Sequence, residues 1–296
     1  YQAAREWLLA APLTPWNPET SSGYLRELGI RSGGEVDTDR EQIMVHVITS
    51  LDSPSALQPL ADVLVSKFGD RVRSVVNSVV PAKFSTPAPD NVDASHVLAG
   101  SARITARVRG LDFLISPASF FQTNPTQTEV LYELVEDLCG ADENSVVYDL
   151  YCGTGTIGLS IARNTKAKSV VGFEIVESAV DDARQNAAAN GVDNAHFLCG
   201  DLAELLSTSD CREKFGRPNV AIIDPPRPGM HPQCVLDVVR LWPQRIVYVS
   251  CNPATQARDI RVLHERGGYR LVSLTPVDMF PHSPHVETVA LLDRTS

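Results

Sequence analysis

The sequence predicts an α/β protein in which a mostly parallel, helix-covered sheet ends in an antiparallel hairpin and follows a smaller α/β domain with an antiparallel sheet. Three observations predict this fold class. After Pro125, short β-branched runs alternate with longer helical segments, which is typical of a parallel sheet covered by helices. The last two apolar runs have no helix between them, so they favour a hairpin at the sheet edge. Before Pro125, apolar and polar residues alternate as they do in strands with one buried face.

The smaller domain is predicted to span residues 1–115. Its strands are predicted from alternating runs, and its second helix from apolar residues that recur on one helical face. Segments rich in proline and serine predict a connector and a loop. In chain order the predicted elements are a helix (1–13), the connector (12–22), a strand (42–49), a helix (57–68), a strand (71–80), the loop (82–92) and a strand (103–115).

The larger domain is predicted to span residues 116–296. Its β-branched runs predict five strands at residues 145–150, 169–174, 195–199, 219–224 and 245–250. Helices are expected between these strands, most clearly at residues 176–190 and 253–266. The closing hairpin is predicted at residues 269–276 and 286–292. Such a hairpin distinguishes a methyltransferase-type sheet from a plain dinucleotide-binding fold.

Composition places the chain among ordinary globular proteins, with 296 residues, of which 43% are hydrophobic and 21% are charged. No apolar run approaches the roughly 20 residues that a membrane-spanning helix needs, and the first residues do not resemble a signal peptide. We therefore expect a soluble intracellular protein that does not associate with membranes, in a compartment that the sequence does not identify. Because the chain begins with Tyr1, we also expect a fragment or processed form that lacks an N-terminal domain.

The net charge of −10 opposes non-specific attraction to a nucleic acid, because cationic side chains supply most of the affinity for phosphates. Basic residues in the first half of the chain could offset this charge locally. Solvated surface charges explain them equally well. They are Lys67, Arg71, Arg73, Lys83, Arg103, Arg107 and Arg109.

The six cysteines occur singly, with no Cys-x-x-Cys pair. This spacing argues against a zinc site, an iron–sulfur site and a secreted disulfide framework. His282 and His285 flank a proline, but no third ligand is apparent, so we expect them to shape their loop and not to bind a metal. The sequence therefore predicts no metal site.

A glycine loop follows the first strand of the larger domain. Gly153, Gly155 and Gly158 have the spacing of a dinucleotide-binding fingerprint, and the second strand ends at Glu174. Glycines let the backbone approach a ligand closely, and a carboxylate at this strand end suits two ribose hydroxyls. The pattern predicts a nucleoside-containing cofactor, but spacing alone does not distinguish NAD from S-adenosylmethionine.

The fourth strand ends in Asp224, Pro225 and Pro226, and two prolines prevent further ladder pairing while they hold the backbone extended. Such a corner at the carboxyl edge of the sheet favours a platform for a planar base beside the cofactor, although it could be a simple strand stop. Together with the C-terminal hairpin, it favours S-adenosylmethionine over NAD.

Two further residues suggest covalent chemistry. Cys251 ends the fifth strand just before a helix that begins at Pro253, and a helix N-terminus is expected to lower the pKa of a thiol. Glu287 enters an apolar final strand, where burial would raise its pKa toward the range of a general base. Taken alone, each could be structural. Their combination in one sheet favours a nucleophile and a base.

Five motifs together resemble the RNA 5-methyluridine methyltransferase family, in the family's order and spacing between Arg103 and Leu292. They are Ser119-Phe-Phe-Gln-Thr-Asn124, Asp149-Leu-Tyr-Cys-Gly-Thr-Gly155, Asp224-Pro-Pro-Arg-Pro-Gly229, Ser250-Cys-Asn-Pro253 and Phe280-Pro-His-Ser-Pro-His-Val-Glu287. The resemblance implies a class I methyltransferase fold, S-adenosylmethionine as methyl donor and RNA as partner. It implies Cys251 as nucleophile and Glu287 as proton acceptor.

The same resemblance implies the cofactor and substrate contacts. Phe120 would stack on an RNA base, and Asp201 would face the adenine of the cofactor. The other implied cofactor contacts are Gln122, Tyr151, Gly153, Thr156, Glu174 and Asp224. Two features of some family members are absent from this sequence: an N-terminal oligonucleotide-binding barrel, and a four-cysteine cluster motif, so that no iron–sulfur cofactor is expected.

The favoured hypothesis is a monomeric enzyme that methylates uridine C5 in transfer RNA, with ribosomal RNA as the alternative substrate. Cytosine C5 methylation is disfavoured because a second cysteine, usual in such enzymes, is missing between Asp224 and Arg227. Two hypotheses from other classes remain open, an NAD-dependent oxidoreductase and a non-catalytic RNA-binding module.

Overall fold

The computed structural model describes residues 1–34, 41–84, 87, 91–207 and 210–295, which form two compact units. The first unit comprises Tyr1–Arg107 and Asp112–Ser119, and the second comprises Val108–Leu111 and Phe120–Ser296. The division into folding domains at residues 115 and 116 stays a prediction.

The first unit is built on a four-stranded sheet in the order β1-β2-β3-β4. The chain runs through α1 (Gln2–Ala10), β1 (Leu25–Gly33), β2 (Gln42–Thr49), α2 (Gln58–Phe68), β3 (Val72–Val79) and β4 (Ala94–Gly100). The two outer strand pairs are antiparallel, as expected for this domain. The middle pair, β2 with β3, is parallel because α2 carries the chain back across the sheet.

Sequence patterns missed both edge strands of this sheet. β1 contains Gly29 and Gly33 and has mixed burial, while β4 is formed largely of small or half-exposed residues. An edge strand that is only half covered carries a weak apolar pattern, so its sequence resembles a loop. The predicted strand at residues 103–115 is in fact two strands, β5 (Ile104–Val108) and β6 (Leu111–Ile115), which form a separate two-stranded sheet.

The centre of the first unit is a packed core with a polar bridge inside it. One apolar cluster joins α1 and α2 to the sheet, with Leu57, Leu60 and Val75 fully buried. Asn77 on β3 is also fully buried, and its Nδ2 donates to the carbonyl oxygen of Val47 and to Oγ1 of Thr49, both at 3.0 Å. This amide therefore ties β3 to β2 where a buried polar group needs partners.

The second unit alternates strands and helices as predicted. Its first half contains α3 (Pro125–Cys139), β7 (Val146–Leu150), α4 (Thr156–Asn164), β8 (Ser169–Glu174), α5 (Glu177–Ala189) and β9 (Ala195–Cys199). Its second half contains α6 (Leu202–Ser207), α7 (Asp210–Phe215), β10 (Val220–Ile223), α8 (Pro232–Leu241), β11 (Arg245–Ser250), α9 (Pro253–Gly267), β12 (Tyr269–Val277) and β13 (Glu287–Arg294).

The large sheet has seven strands in the order β12-β13-β11-β10-β7-β8-β9. β7 to β11 are parallel, and β13 runs antiparallel between β11 and β12. The α/β prediction and the C-terminal hairpin are confirmed. The order within the hairpin was not predictable from the sequence, since the last strand lies inside the sheet and only β12 forms that edge. As a result, β11 is the outermost parallel strand on this side of the sheet, and the antiparallel β13 lies next to it.

Two features are absent from the part of the chain that the structure describes. No helix there is long and apolar enough to cross a membrane. In the same part of the chain, no group of three or more histidine, cysteine, aspartate or glutamate residues could hold a metal ion.

The buried amide of Asn77 makes a testable contribution to stability. We expect Asn77→Leu to lower the free energy of unfolding by about 1–3 kcal/mol, because two buried acceptors lose their donor. Urea denaturation followed by circular dichroism measures the change. Gln58→Leu is the control, because the Gln58 amide also donates to a backbone carbonyl, that of Leu98, but is exposed. Equal effects of the two substitutions would contradict this account.

Candidate active site

The glycine loop between β7 and α4 is a tight turn at the carboxyl edge of the sheet. Gly153 and Gly155 have φ angles of 53° and 78°, in the left-handed region. A Cβ atom on Gly155 would lie 2.7 Å from the Phe197 ring, so packing also demands glycine there. Nothing lies within 4 Å of a Cβ built on Gly153, which leaves open space above the loop. Tyr151 has a positive φ of 67° although it is not glycine, which marks a strained strand end.

The Glu174 carboxylate anchors this loop to the end of β8. One oxygen accepts the backbone N–H of Gly153 at 3.0 Å, and the other accepts those of Ile175 and Val176 at 2.8 and 2.9 Å. These donors fix the carboxylate next to the open space over Gly153. Because each carboxylate oxygen can accept more than one hydrogen bond, further acceptor sites remain for ligand hydroxyls.

Thr156 and Asp201 each lie at the start of a helix, α4 and α6 respectively. The Thr156 hydroxyl, at the first residue of α4, lies 2.7 Å from the hydroxyl of Tyr132. Asp201 accepts the backbone N–H groups of Ala203 and Glu204 at 2.9 and 3.1 Å, so it caps α6. Its role toward adenine stays a prediction.

Two buried carboxyl groups, Asp149 and Glu287, and the half-buried Asp224 lie at this edge of the sheet. Burial, and next the neighbouring Asp224, raise the pKa of Asp149 to about 8. Burial raises the pKa of Asp224 to about 7, and burial together with Asp224 raises that of Glu287 to about 8. Each group is therefore poised near neutral pH, as acids and bases in active sites often are.

Asp149 stands out among these three groups. Among the described residues, neither of its oxygens has a hydrogen bond of good geometry, although the nearby Gly158 N–H lowers its pKa in part. A Cβ on Gly158 would lie 2.8 Å from Oδ2 of Asp149, so only glycine lets the start of α4 approach this carboxyl group. The raised pKa keeps the group largely protonated near neutral pH, and a cationic or N–H-bearing ligand group would stabilise its charged form.

Cys251 lies directly after β11, in a turn that joins the strand to α9. The Asn252 side chain caps α9 by accepting the Ala254 N–H at 3.2 Å. The Nδ2 of Asn252 and the Oγ1 of Thr255 both donate to the carbonyl oxygen of Arg227 at 3.3 Å. The start of α9 therefore holds the corner that follows Asp224 beside the cysteine.

Strand register brings Cys251 and Glu287 to neighbouring positions. β11 and β13 are antiparallel, and their ladder ends with Ser250 opposite Thr288. The next residues along the two strands are Cys251 and Glu287. Glu287 is 3% exposed, whereas Cys251 is partly exposed and accessible to a substrate.

The expected lowering of the Cys251 thiol pKa is wrong. Burial raises this pKa, and the carboxyl groups of Glu287 and Asp224 raise it further, against a smaller lowering by Arg227. Negative charge near a thiol disfavours the thiolate. Burial, and next the acidic groups that share the site, therefore outweigh the helix N-terminus. By contrast, the expected upward shift of the Glu287 pKa is found.

The segment before α3 carries two of the predicted site residues. Phe120 is 70% exposed, and Gln122 is half-buried. Asn124 caps α3 by accepting the Gln127 N–H at 3.2 Å, and its Nδ2 donates to the carbonyl oxygen of Met279 at 3.4 Å. This contact links the segment to the chain that leads into Glu287.

Arg227 contacts one of the two histidines in the loop before β13. Nη2 of Arg227 lies 3.5 Å from Nδ1 of His285, whose ring meets that of Phe280 edge-on at 6.3 Å. The backbone of His282 has a φ of 63°, typical of a tight turn. These contacts agree with histidines that shape the loop.

Sequence reasoning missed Tyr132, which lies among the site residues. Its hydroxyl contacts Thr156, and the nearby Asp224 and Asp149 help to raise its pKa after burial itself. A tyrosine on the apolar face of a helix resembles a core residue, so no sequence signal separated it. Asn252 was recognisable, because Asn-Pro at a strand end is a helix-capping signal.

Comparison with known proteins identifies relatives along almost the whole chain. The sequence model of the tRNA (uracil-5-)-methyltransferase family matches residues 102–295. A Chlorobaculum tepidum protein named as an uncharacterized RNA methyltransferase is 39% identical over 290 residues, which are 98% of this chain and 58% of that protein. An Enterococcus faecalis protein named in the same way is 39% identical over 280 residues, 95% of this chain and 58% of that protein. The chain thus spans somewhat more than half the length of these relatives.

Solved structures show the same fold. The Pyrococcus abyssi tRNA (uracil-54, C5)-methyltransferase, solved in complex with S-adenosyl-L-homocysteine, has a TM-score of 0.74 and 33% identity, over 98% of this chain and 65% of that one. The M. jannaschii tRNA m1G37 methyltransferase has a TM-score of 0.53 and 13% identity, over 95% of this chain and 78% of that one, which shows the fold alone.

These likenesses confirm the predicted class I methyltransferase fold and the family resemblance carried by the five motifs. The family match covers the glycine loop, the Asp-Pro-Pro corner, Cys251 and Glu287 in a single segment. The chain belongs to the tRNA (uracil-5-)-methyltransferase family.

Proposed function

We propose that this protein is an S-adenosylmethionine-dependent methyltransferase that forms 5-methyluridine in transfer RNA, with Cys251 as covalent nucleophile and Glu287 as base. The observation that carries the proposal is the end of the β11–β13 ladder, which sets Cys251 and Glu287 side by side near Asp224. A thiol and a carboxyl group at one carboxyl edge are the two groups that this reaction requires.

The residues at the glycine loop suit S-adenosylmethionine. Glu174 can accept both ribose hydroxyls, and the open space over Gly153 admits the ligand close to the backbone. The buried Asp149 carboxyl, which lacks a hydrogen bond of good geometry among the described residues, supports a cationic ligand group nearby, such as the amino group of a methionine moiety. We assign the remaining cofactor contacts to Gln122, Tyr151, Thr156, Asp201 and Asp224.

Cys251 begins the reaction on the uracil ring. Uracil C5 is too weak a nucleophile to react unaided, so the thiolate attacks C6 and forms a carbon–sulfur bond. The electrons of the C5–C6 double bond then move toward C5 and the O4 carbonyl, which makes C5 nucleophilic. S-adenosylmethionine, when bound, supplies an electrophilic methyl group for C5.

Glu287 completes the reaction by removing a proton. Its carboxylate takes the hydrogen of C5, and the electrons of that bond restore the C5–C6 double bond. The carbon–sulfur bond breaks, and its electrons return to Cys251 as thiolate. A raised pKa makes Glu287 a stronger base than an exposed glutamate, provided that it is ionised when the proton leaves.

RNA must present the uridine outside its stack for this chemistry to occur. Phe120 is 70% exposed on the segment linked to Met279, and we assign it to stacking on an RNA base. We favour transfer RNA because the Pyrococcus abyssi protein, 33% identical, is described as acting on uracil 54 of tRNA. Ribosomal RNA is the alternative substrate.

A substitution at Glu174 tests cofactor binding. We expect Glu174→Gln to weaken S-adenosylmethionine binding about 10–100-fold, because the amide loses charge and turns an NH2 group toward ribose or Gly153. Isothermal titration calorimetry measures the affinity, with NAD titrated in parallel. Glu177→Gln, at an exposed glutamate in the first turn of α5, should leave the affinity unchanged. Tighter binding of NAD than of S-adenosylmethionine would refute the assigned cofactor.

Removal of the Cys251 thiol tests covalent catalysis. We expect Cys251→Ala to abolish transfer of labelled methyl groups from S-adenosylmethionine to a tRNA transcript, because C5 is no longer activated. The control is Cys139→Ala, since Cys139 ends α3 near Arg245 at the opposite end of β11. The same assay with wild-type protein and separate tRNA and rRNA substrates distinguishes the two RNA classes. Undiminished methylation by the Cys251→Ala variant would disprove the mechanism.

The raised pKa values predict a basic pH profile. Glu287 must be ionised and Cys251 must be a thiolate, and both pKa values are shifted upward, so kcat/KM should rise with pH through about 8. Single-turnover rates between pH 6 and 9 would reveal the rise. A rate that stays flat across this pH range in the wild-type protein would rule out the assigned base.

Glu287→Gln should lower the rate of product release about 100–10,000-fold, because a general base is lost.

A further inference from the structure

We propose that Gln256 is a positioning residue that fixes Cys251 and Glu287 relative to each other. This inference rests on the proposed function, because it concerns the geometry of the nucleophile and the base. Gln256 lies on α9, one turn after the capping residue Asn252, and it is 2% exposed. Among the described residues, its side-chain hydrogen bonds go to β11 and β13, not to the glycine loop or Arg227.

Gln256 bridges the two strands that carry the reacting groups. Its Nε2 donates to the carbonyl oxygen of Tyr248 on β11 at 2.8 Å and to that of Thr288 on β13 at 3.2 Å. Its Oε1 lies 2.9 Å from the Thr288 hydroxyl, which also lies 3.2 Å from the carbonyl oxygen of Ser250. One buried amide therefore uses both ends to hold the carboxyl-terminal part of β11 against the start of β13.

The bridge lies where the backbone ladder stops. Ser250 and Thr288 form the last pair between β11 and β13, and beyond it the chain turns into α9 on one side and comes from the 278–286 segment on the other. Cys251 and Glu287 are the first residues beyond this pair. Glu287 also pairs with Val277 on β12, so Gln256 adds to the ladder contacts that set the separation of Glu287 from Cys251, and it reaches both strands from a rigid helix.

The other polar residues of α9 and its cap mainly hold a different part of the site, and one of them, Asp259, also accepts the Tyr248 hydroxyl of β11 at 2.7 Å. Asn252 and Thr255 donate to the carbonyl oxygen of Arg227, and Asp259 accepts the Met230 N–H at 2.9 Å. These contacts hold the corner after Asp224. Within the described residues, the hydrogen bonds of Gln256 are the ones that join α9 to both β11 and β13.

The two chemical steps depend differently on this bridge. Attack on C6 needs Cys251 and a bound uracil ring. Release of the product needs Glu287 to reach the C5 proton while the uracil ring is still bonded to Cys251. Misplacing Glu287 relative to Cys251 should therefore slow elimination more than addition, so that the protein stays covalently bound to methylated RNA. A displacement of about 1 Å can lower a rate by about 100-fold.

The test compares Gln256→Leu with the wild-type protein and with Asn77→Leu. Leucine fills similar volume but cannot donate, and Asn77 is an equally buried amide that bridges two strands of the other unit. We expect Gln256→Leu to lower kcat about 10–100-fold with little change in KM, and to accumulate an RNA–protein complex on denaturing gels. Asn77→Leu should lose stability without accumulating the complex.

Thr288→Val provides a second variant if Gln256→Leu does not fold. It removes the hydroxyl that contacts both Gln256 and Ser250 while it preserves the shape of the side chain. We expect a smaller decrease in kcat, with the same covalent complex. If wild-type protein methylates RNA but neither variant accumulates the complex, the positioning role is refuted. If wild-type protein transfers no methyl group, or Cys251→Ala remains active, the proposed function itself fails.

Discussion

The antiparallel insertion of β13 next to β11 is the constraint on which the candidate site depends. In a sheet of parallel strands, only the final residue of each strand and the loop after it reach the carboxyl edge. A reversed strand contributes its first residue to the same edge, and in this protein that residue is Glu287. The pairing of Ser250 with Thr288 then sets Glu287 beside Cys251, which follows the end of β11. The two groups are 36 residues apart in sequence, yet a single register relates them.

Acidic groups at this edge determine the electrostatics of the site. Asp149, Asp224 and Glu287 lose hydration on burial, and mutual repulsion makes it harder to ionise them together. Their pKa values rise toward neutrality, and burial together with the carboxyl groups of Glu287 and Asp224 raises the pKa of the Cys251 thiol as well. Under the proposed function, the nucleophile Cys251 and the base Glu287 therefore both favour their protonated forms in the free protein, and Glu287 is a strong base once it is ionised. An arrangement of this kind favours coordinated proton movements over a permanently reactive thiolate.

Helix α9 connects these features to the body of the second unit. Its N-terminal residues hold the corner after Asp224, and Gln256 bridges the ends of β11 and β13. A side chain anchored on a helix is a more precise support than one on a loop, because the helix fixes its backbone through its own hydrogen bonds. Under our proposal, the same few hydrogen bonds therefore satisfy buried polar groups in this sheet and position the reacting groups.

The sequence by itself determined the alternation of strands and helices in the second unit, the glycine loop with Glu174, the Asp-Pro-Pro corner and the strand-end positions of Cys251 and Glu287. These features are local, since strand pattern, turn chemistry and helix capping are written in neighbouring residues. Only the tertiary structure decided that β13 lies inside the sheet, that Tyr132 approaches Asp149 and Asp224, and that the Cys251 pKa rises. It also revealed β1 and β4, whose half-exposed faces carry little pattern. Register, burial and the charges around a group depend on residues distant in sequence, so no local pattern could specify them.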